Sequence, residues 1–483
     1  MKIGKRSVRL GMAVAAVAAT LGARAAVWTG GVDGPWSAGG NWDGGSGAPP
    51  VSGPTTQLMF SNAGTGYTTT NDLGPFTFNA LTLDNTGTGL VTVAGNPLTL
   101  DGSAATIVGT GAGDKLVKNN LTFAVDSTVT NTGGTMTIGA PDANNAVPAV
   151  TFAAGTTTTF DGPGNVTVGP NVTTVGTGIQ FGNNVTIRNT GTGTLALADD
   201  GTYAGTNVII NLANTGGGVF TIGDLAAVSG TLNITAGTVK WGGGAEGDLF
   251  GANLVLNVSA GATFDFANNG ETMGGISGAG NIAMGSAGLT FTLAGDRTFS
   301  GSIGGTGGLA QANAGVLTLG GTNTYTGATT INSGGTIRAA GANVLSAGSV
   351  ITIAAGQGTL DLAGFGQTIA GVAGGQYNSA LLVNASTLTL SGNATRSFNG
   401  LVTGTGNLAV GGTGTQTILG ASNYTGTTAV NGGTLRIVGP AAATGAGTSI
   451  ATGATLDLIL DTDVTWTAPL TGTGTLAKSG AGK

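Results

Sequence analysis

Three aspartates stand 96 residues apart in matching phrases: Asp265 in Ala262-Thr263-Phe264-Asp265-Phe266, Asp361 in Gly358-Thr359-Leu360-Asp361-Leu362, and Asp457 in Ala454-Thr455-Leu456-Asp457-Leu458. Carboxylates are the main reactive groups on offer, because the chain has 21 Asp and Glu residues, no histidine and no cysteine. It therefore lacks the commonest metal ligand and neutral-pH general base, and also thiolate nucleophiles and disulfides. Two carboxylates across a cleft would suit glycoside hydrolysis, and a cluster of hard oxygen ligands would suit calcium. The densest acidic cluster is Asp457, Asp461 and Asp463; Asp199-Asp200 is a pair, and Glu246 and Glu271 are the two glutamates. The cluster reads equally as an acidic turn beside a strand over Leu456–Leu460, and the calcium-binding G-G-x-G-x-D run is absent. No catalytic, cofactor-binding or metal-binding residue is assigned, and no cofactor is expected. The three spaced aspartates read as solvent-exposed spacers that blunt lateral sheet association. Arg338 and Arg436 follow equivalent strands, and Arg297 and Arg396 precede equivalent phenylalanines. They read as a recognition stripe or as isolated outward charges.

The elements that position these residues repeat with them. Phe299 and Phe398 are 99 residues apart, as are Tyr325 and Tyr424. Between them run short phrases such as Phe76-Thr77-Phe78, Leu81-Thr82-Leu83 and Leu98-Thr99-Leu100, with apolar residues at i and i+2. That is the period-two signature of a half-buried strand. Glycine supplies 95 of 483 residues and hydrophobic residues 40%, with only 7% charged, which excludes a disordered chain and fits strands joined by tight turns. A sandwich gains nothing from serial near-copies, whereas a parallel β-helix can go on adding coils. At roughly 20–25 residues per coil, each 96–99-residue unit would hold four or five coils. The all-β chain would then form a single elongated β-solenoid rod of roughly 20 coils, about 100 Å long. Threonine-rich outer faces would bind ice or glycans if they formed flat ranks, but threonine spacing lacks a strict short repeat.

Residues 1–25 read as a signal peptide. Lys2, Lys5, Arg6 and Arg9 precede a twelve-residue apolar stretch, Gly11–Gly22, and Ala23-Arg24-Ala25 fits a cleavage site before Ala26. Twelve apolar residues cannot span about 30 Å of hydrocarbon, and no later stretch resembles a membrane helix. The leader carries five of the fifteen basic residues and no acidic one, leaving 10 positive against 21 negative side chains, a net charge of −11. Nucleic acid is not an expected partner for such a surface. Residues 26–75 hold Trp28, Trp36 and Trp42 with five prolines, and read as a cap on a solenoid end or as a carbohydrate platform built on Trp36 and Trp42. Residues 76–483 read as the parallel β-helix itself.

The segments Gly304-Gly305-Thr306-Gly307-Gly308-Leu309, Gly315-Val316-Leu317-Thr318-Leu319 and Asn323-Thr324-Tyr325-Thr326-Gly327 run into Gly335-Thr336-Ile337. Together they resemble the autotransporter-associated β-strand repeat, also called the passenger-associated transport repeat. A second copy runs from Gly404 through Asn423-Tyr424-Thr425-Gly426 to Leu435, with Gln416-Thr417-Ile418-Leu419 where the family has T-L-T-L. The tail from Gly472 to Lys483 is similar to half of a third copy, so the chain is expected to stop inside a longer protein. The resemblance implies a right-handed parallel β-helix, an exported autotransporter passenger at the surface of a Gram-negative-type cell, with no shared catalytic residues. The expected function is therefore a structural or adhesive stalk, not an enzyme. Its expected partners are further copies of itself, neighbouring surface components or glycans. A subunit of an extracellular filament or sheath is the second reading, and a polysaccharide-active β-helix enzyme the third.

Overall fold

Alternating threonine and apolar residues can bury one side of a strand only if another strand lies beneath it, and this chain satisfies that need by winding. The computed structural model describes residues 25–29, 32–45, 47–139, 149–169, 178–197, 205–223, 225, 228–242, 250–292, 295–332, 334–354, 356–419, 422–439 and 445–483. Residues 1–24 of the expected leader, Asp199, Asp200 and Glu246 lie outside the described residues. Two units are distinguished: one comprises residues up to Val228 with Gly237–Gly244, the other Ser229–Ala236 with Ala245–Lys483. Each is a parallel β-solenoid.

In the first unit, one face stacks eight strands, from Ala26–Trp28 and Gln57–Asn62 to Val185–Asn189 and Gly205–Asn214. A second face stacks nine, from Gly34–Pro35 to Thr238–Trp241. A third stacks five, from Phe76–Phe78 to Ile179–Phe181. Every one of these pairings is parallel. On the third face the partners Thr77, Thr99, Thr122 and Thr151 form an outward column one residue wide. Their sequence spacing is irregular, because the turns vary in length while the strands keep register. Beneath them the rings of Phe123, Phe152 and Phe181 stack with centroids 4.9 and 5.8 Å apart.

The second unit also has three faces, visited in a fixed order. Its first face runs from Leu254–Val258 to Leu401–Thr403. Its second begins with Thr263–Asp265, Asn281–Gly285 and Ser302–Gly305 and is resumed by Gln367–Ile369 and five further strands. Its third stacks eleven strands, from Glu271–Met273 to Thr475–Ser479. Partner residues here fall 18 to 24 positions apart, against 22 to 29 on the third face of the first unit. The expected 20–25 residues per coil is thus an average over a tighter and a looser unit.

A buried asparagine recurs at one corner of the first unit. Asn62, Asn85, Asn131, Asn189 and Asn214 each close a strand before a glycine-rich turn. Asn62 Nδ2 donates to Asn85 Oδ1 at 2.8 Å, and Asn189 Nδ2 to Asn214 Oδ1 at 3.0 Å. Asn85 also donates to the carbonyls of Gly89 and Asp114, closing its own turn onto the next. Two rungs break the series: Phe160 stands opposite Asn189 on one, and on the other Gly109 stands opposite Asn131 while Lys115 fills the space. A Cβ on Gly109 would lie 2.4 Å from Met136 Cε and 3.2 Å from Lys115 Cδ. The fully buried Lys115 ammonium donates to Gly111 O at 2.8 Å, Gly133 O at 2.6 Å and Asn131 Oδ1 at 3.4 Å. Desolvation holds its pKa below the usual ammonium range, opposed by Asp114 and Asp84.

Lys115→Met keeps the apolar stem but removes the donor from two turn carbonyls. It is expected to cost about 1–3 kcal/mol of local stability. Amide exchange across residues 105–138 should accelerate accordingly, while exchange across 297–339 stays unchanged.

Candidate functional site

The repeated aspartates are carried on three different faces of the second unit. Asp265 lies on a second-face strand, Asp361 on the first-face strand Thr359–Asp361 and Asp457 on the third-face strand Thr455–Ile459. Following the chain from one aspartate to the next takes four full turns and two thirds of a fifth, both times. Phe299 and Phe398 obey the same rule, on the first and third faces. So do the tyrosines. Tyr325 sits above the second-face strand Ser302–Gly305, and Tyr424 above the first-face strand Leu401–Thr403. Each copy of the super-repeat is therefore rotated by one face, and equivalent residues are not aligned along the solenoid.

The aspartates are not the exposed spacers expected from sequence. Asp361 is 7% exposed, and its Oδ2 accepts from Arg338 Nε at 2.8 Å. Asp457 Oδ2 accepts from Arg436 Nε at 2.7 Å. Register is the cause: Arg338 is the rung partner of Asp361, and Arg436 of Asp457, one turn earlier in each case. The other carboxylate oxygen of Asp361 caps the strand end, accepting from Ala363 N at 2.9 Å, just as Asp265 accepts from Ala267 N at 2.8 Å. Both alanines have left-handed backbones, with φ of 48° and 53°. The arginines form no single stripe, because Arg297 and Arg338 lie on the first face while Arg396 and Arg436 lie on the third. With the arginine side chains 47% and 42% exposed, each pair contributes only about 0–1 kcal/mol.

The repeat's tyrosines are interior locks. Tyr325 is fully buried; its hydroxyl is 2.7 Å from Thr329 Oγ1, which lies 2.8 Å from Ser349 Oγ in the next turn. Tyr424 repeats the bond to Thr428 at 2.5 Å. Desolvation pushes both phenols up to about 12, against the smaller opposing effect of the threonine bond. Asn323, two residues before Tyr325, accepts from Ile303 N at 2.8 Å and donates to Val344 O at 2.7 Å, joining three successive turns. Side-chain bonds of this kind carry the second face across two rungs that lack regular strands.

Among the described residues, no reactive constellation assembles from the remaining acids. Glu271 is buried, with Oε2 accepting from Phe250 N at 3.2 Å. In the acidic cluster Asp457 is occupied by Arg436, and Asp463 Oδ1 accepts from Lys483 N at 2.8 Å. Among the described residues no group of three or more Asp or Glu side chains is placed to hold a metal ion. Trp36 and Trp42 are completely buried, which removes them as a sugar-stacking platform. Trp36 Nε1 donates to Thr69 Oγ1 and Trp42 Nε1 to Trp36 O, while both rings pack on Phe60. Among the described residues no helix is long and apolar enough to cross a membrane.

The passenger-associated-transport-repeat family model matches residues 188–211, 309–339 and 408–437. The later two are the copies whose Tyr-Thr-Gly phrases, followed by Gly335-Thr336-Ile337 and Gly433-Thr434-Leu435, stand out in the sequence. The first was missed as a full copy; its signal is Asn189-Thr190-Gly191-Thr192-Gly193-Thr194-Leu195 followed by Thr202-Tyr203-Ala204-Gly205. The tail from Gly472 to Lys483 is outside the matched segments. No curated protein and no solved structure is significantly similar to the chain. The matched repeat is a structural one, and its segments lie on a β-helix of the passenger type.

Two measurements follow from these contacts. The unfolded phenol ionises near 10 and the folded one near 12, so the unfolded chain loses protons first as pH rises. Stability contributed by Tyr325 and Tyr424 should hold below pH 10 and fall from pH 10 to 12, and Tyr325→Phe should flatten that fall in thermal melts. A double-mutant cycle on Arg338→Ala and Asp361→Ala should give a coupling below about 1 kcal/mol.

Proposed function

From the three segments that match the passenger-associated transport repeat, we propose that the chain is an exported cell-surface β-helix acting as an extended stalk or scaffold. The observation that carries this reading is the matched repeat, whose own conspicuous residues are spent on holding turns together. Tyr325, Tyr424 and Asn323 are buried in such bonds, and the repeated aspartates pair with arginines or cap strands. A chain with few charges and a backbone ladder that needs no disulfides suits an extended scaffold.

Residues 1–25 would serve as the export leader and 76–483 as the displayed β-helix. Residues 26–75 would close the first unit: Trp28, Trp36 and Trp42 cover Phe60, and the short antiparallel bridge between Trp28 and Trp42 interrupts the parallel ladder at its first rung. That bridge covers the outer edge of the first strand, where a second copy would otherwise stack. This favours the stalk over the filament.

Amino-terminal sequencing of the protein recovered from its native cells should return Ala26 as the first residue. Protease added to intact cells should degrade it. An intact Met1 on a protease-protected protein would overturn export. Electron micrographs of the purified protein should show separate particles, whereas end-to-end chains would favour the filament.

A further inference from the structure

At one corner of the second unit, two successive turns are longer than their neighbours. The turns just before and after them are shorter: three residues separate Ile331 from Gly335, and two separate Phe398 from Leu401. Between Val350–Ile353 and Thr359–Asp361, and again between Gly371–Gly374 and Ala380–Leu382, five residues intervene. These paired turns, with Gly334 from the turn before, frame an open cleft of about 350 Å³ lined by Gly356, Gln357, Gln376, Tyr377 and Asn378. Long turns on a rigid solenoid are where binding groups are expected.

The cleft is built rather than loose. Gly374 and Gly375 have φ of 72° and 84°, a left-handed pair that swings the chain outward. The fully buried Ser379 then pins the turn: its Oγ accepts from Gln376 N at 3.0 Å and donates to Gly356 O at 2.8 Å in the turn of the preceding coil. The backbone closes the same link, with Ser379 N donating to Gln376 O at 2.8 Å. Tyr377 is left 86% exposed on the pinned turn, the most exposed large hydrophobic side chain among the described residues. Around it stand three exposed carboxamides, Gln357, Gln376 and Asn378, and among the described residues no charged side chain lines the cleft.

An exposed aromatic ring beside neutral donors and acceptors matches a sugar ring, which offers an apolar C–H face and a rim of hydroxyls. An acidic chain with no lysine or arginine at the cleft does not match uronic or sulfated sugars. We propose that the cleft at Tyr377 binds neutral glycan, with the tyrosine ring stacking on one sugar and Gln357, Gln376 and Asn378 hydrogen-bonding its hydroxyls. Pinning by Ser379 lowers the cost of ordering the turn on binding. The site stands on its own geometry and does not depend on how the chain reaches its place of action.

The test uses the full chain in affinity gel electrophoresis and titration calorimetry against neutral hexasaccharides of glucose, mannose, xylose and N-acetylglucosamine, with heparin and alginate as charged controls. At least one neutral sugar should bind and the charged ones should not. Tyr377→Ala should weaken binding about tenfold and Tyr377→Trp should preserve it. Both variants should melt with the parent protein, because the side chain is exposed. Gln376→Ala should weaken binding without the rescue that tryptophan gives at 377. Binding that survives Tyr377→Ala, preference for heparin or alginate, or no binding to any neutral sugar would each overturn the proposal.

Discussion

Parallel, in-register pairing between a strand and its counterpart one turn later is the constraint on which everything else rests. It aligns buried side chains with buried side chains whatever the length of the intervening turn. On the third face of the first unit, turns of 22, 23 and 29 residues all place an apolar pair on an apolar pair. The backbone ladder also makes side-chain ladders cheap, because an asparagine at a corner finds the same corner one turn away. Where the asparagine is missing at Gly109, a lysine from the following strand supplies the donor.

The same constraint explains how a super-repeat can ignore the geometry of the coil. An interval of four and two-thirds turns rotates each copy by one face, yet the phrase survives because all three faces offer the same alternation of buried and outward positions. The Arg–Asp pair illustrates this. Arg338–Asp361 is on the first face and Arg436–Asp457 on the third, with nearly identical distances of 2.8 and 2.7 Å. What the rotation forbids is a functional surface made of equivalent residues in a line. A binding site on such a body has to come from a local departure, as at the long turns around Tyr377.

Much of the architecture was legible in the sequence because it depends on period-two alternation, which local side chains set. Phe76-Thr77-Phe78 and Leu98-Thr99-Leu100 announce their strands and even their facing. The parallel β-solenoid followed from serial repetition that no sandwich needs. The exposure of Asp361 was misread because a carboxylate flanked by leucines is outward on its own strand, while its partner Arg338 lies a whole turn away. The threonine column was discounted for a related reason: 22 and 29 residues look unlike in sequence but bridge the same gap. Trp36 and Trp42 were ambiguous for want of tertiary context, since a buried and a displayed tryptophan have the same neighbours in sequence. The corner asparagines have their own signal in the sequence, a recurrence before Thr-Gly at 85, 131, 189 and 214.

Disulfide trapping tests the register most directly, and the absence of native cysteine gives a clean background. Thr99 and Thr122 are rung partners, whereas Thr99 and Thr151 are separated by the rung of Thr122. Neighbouring rungs lie about 4.8 Å apart, inside the Cα separation a disulfide accepts, and alternate rungs about 10 Å apart, outside it. Thr99→Cys with Thr122→Cys should oxidise rapidly to an intramolecular disulfide, and Thr99→Cys with Thr151→Cys should not. Equal trapping of both pairs, or trapping of the distant pair alone, would contradict the parallel winding.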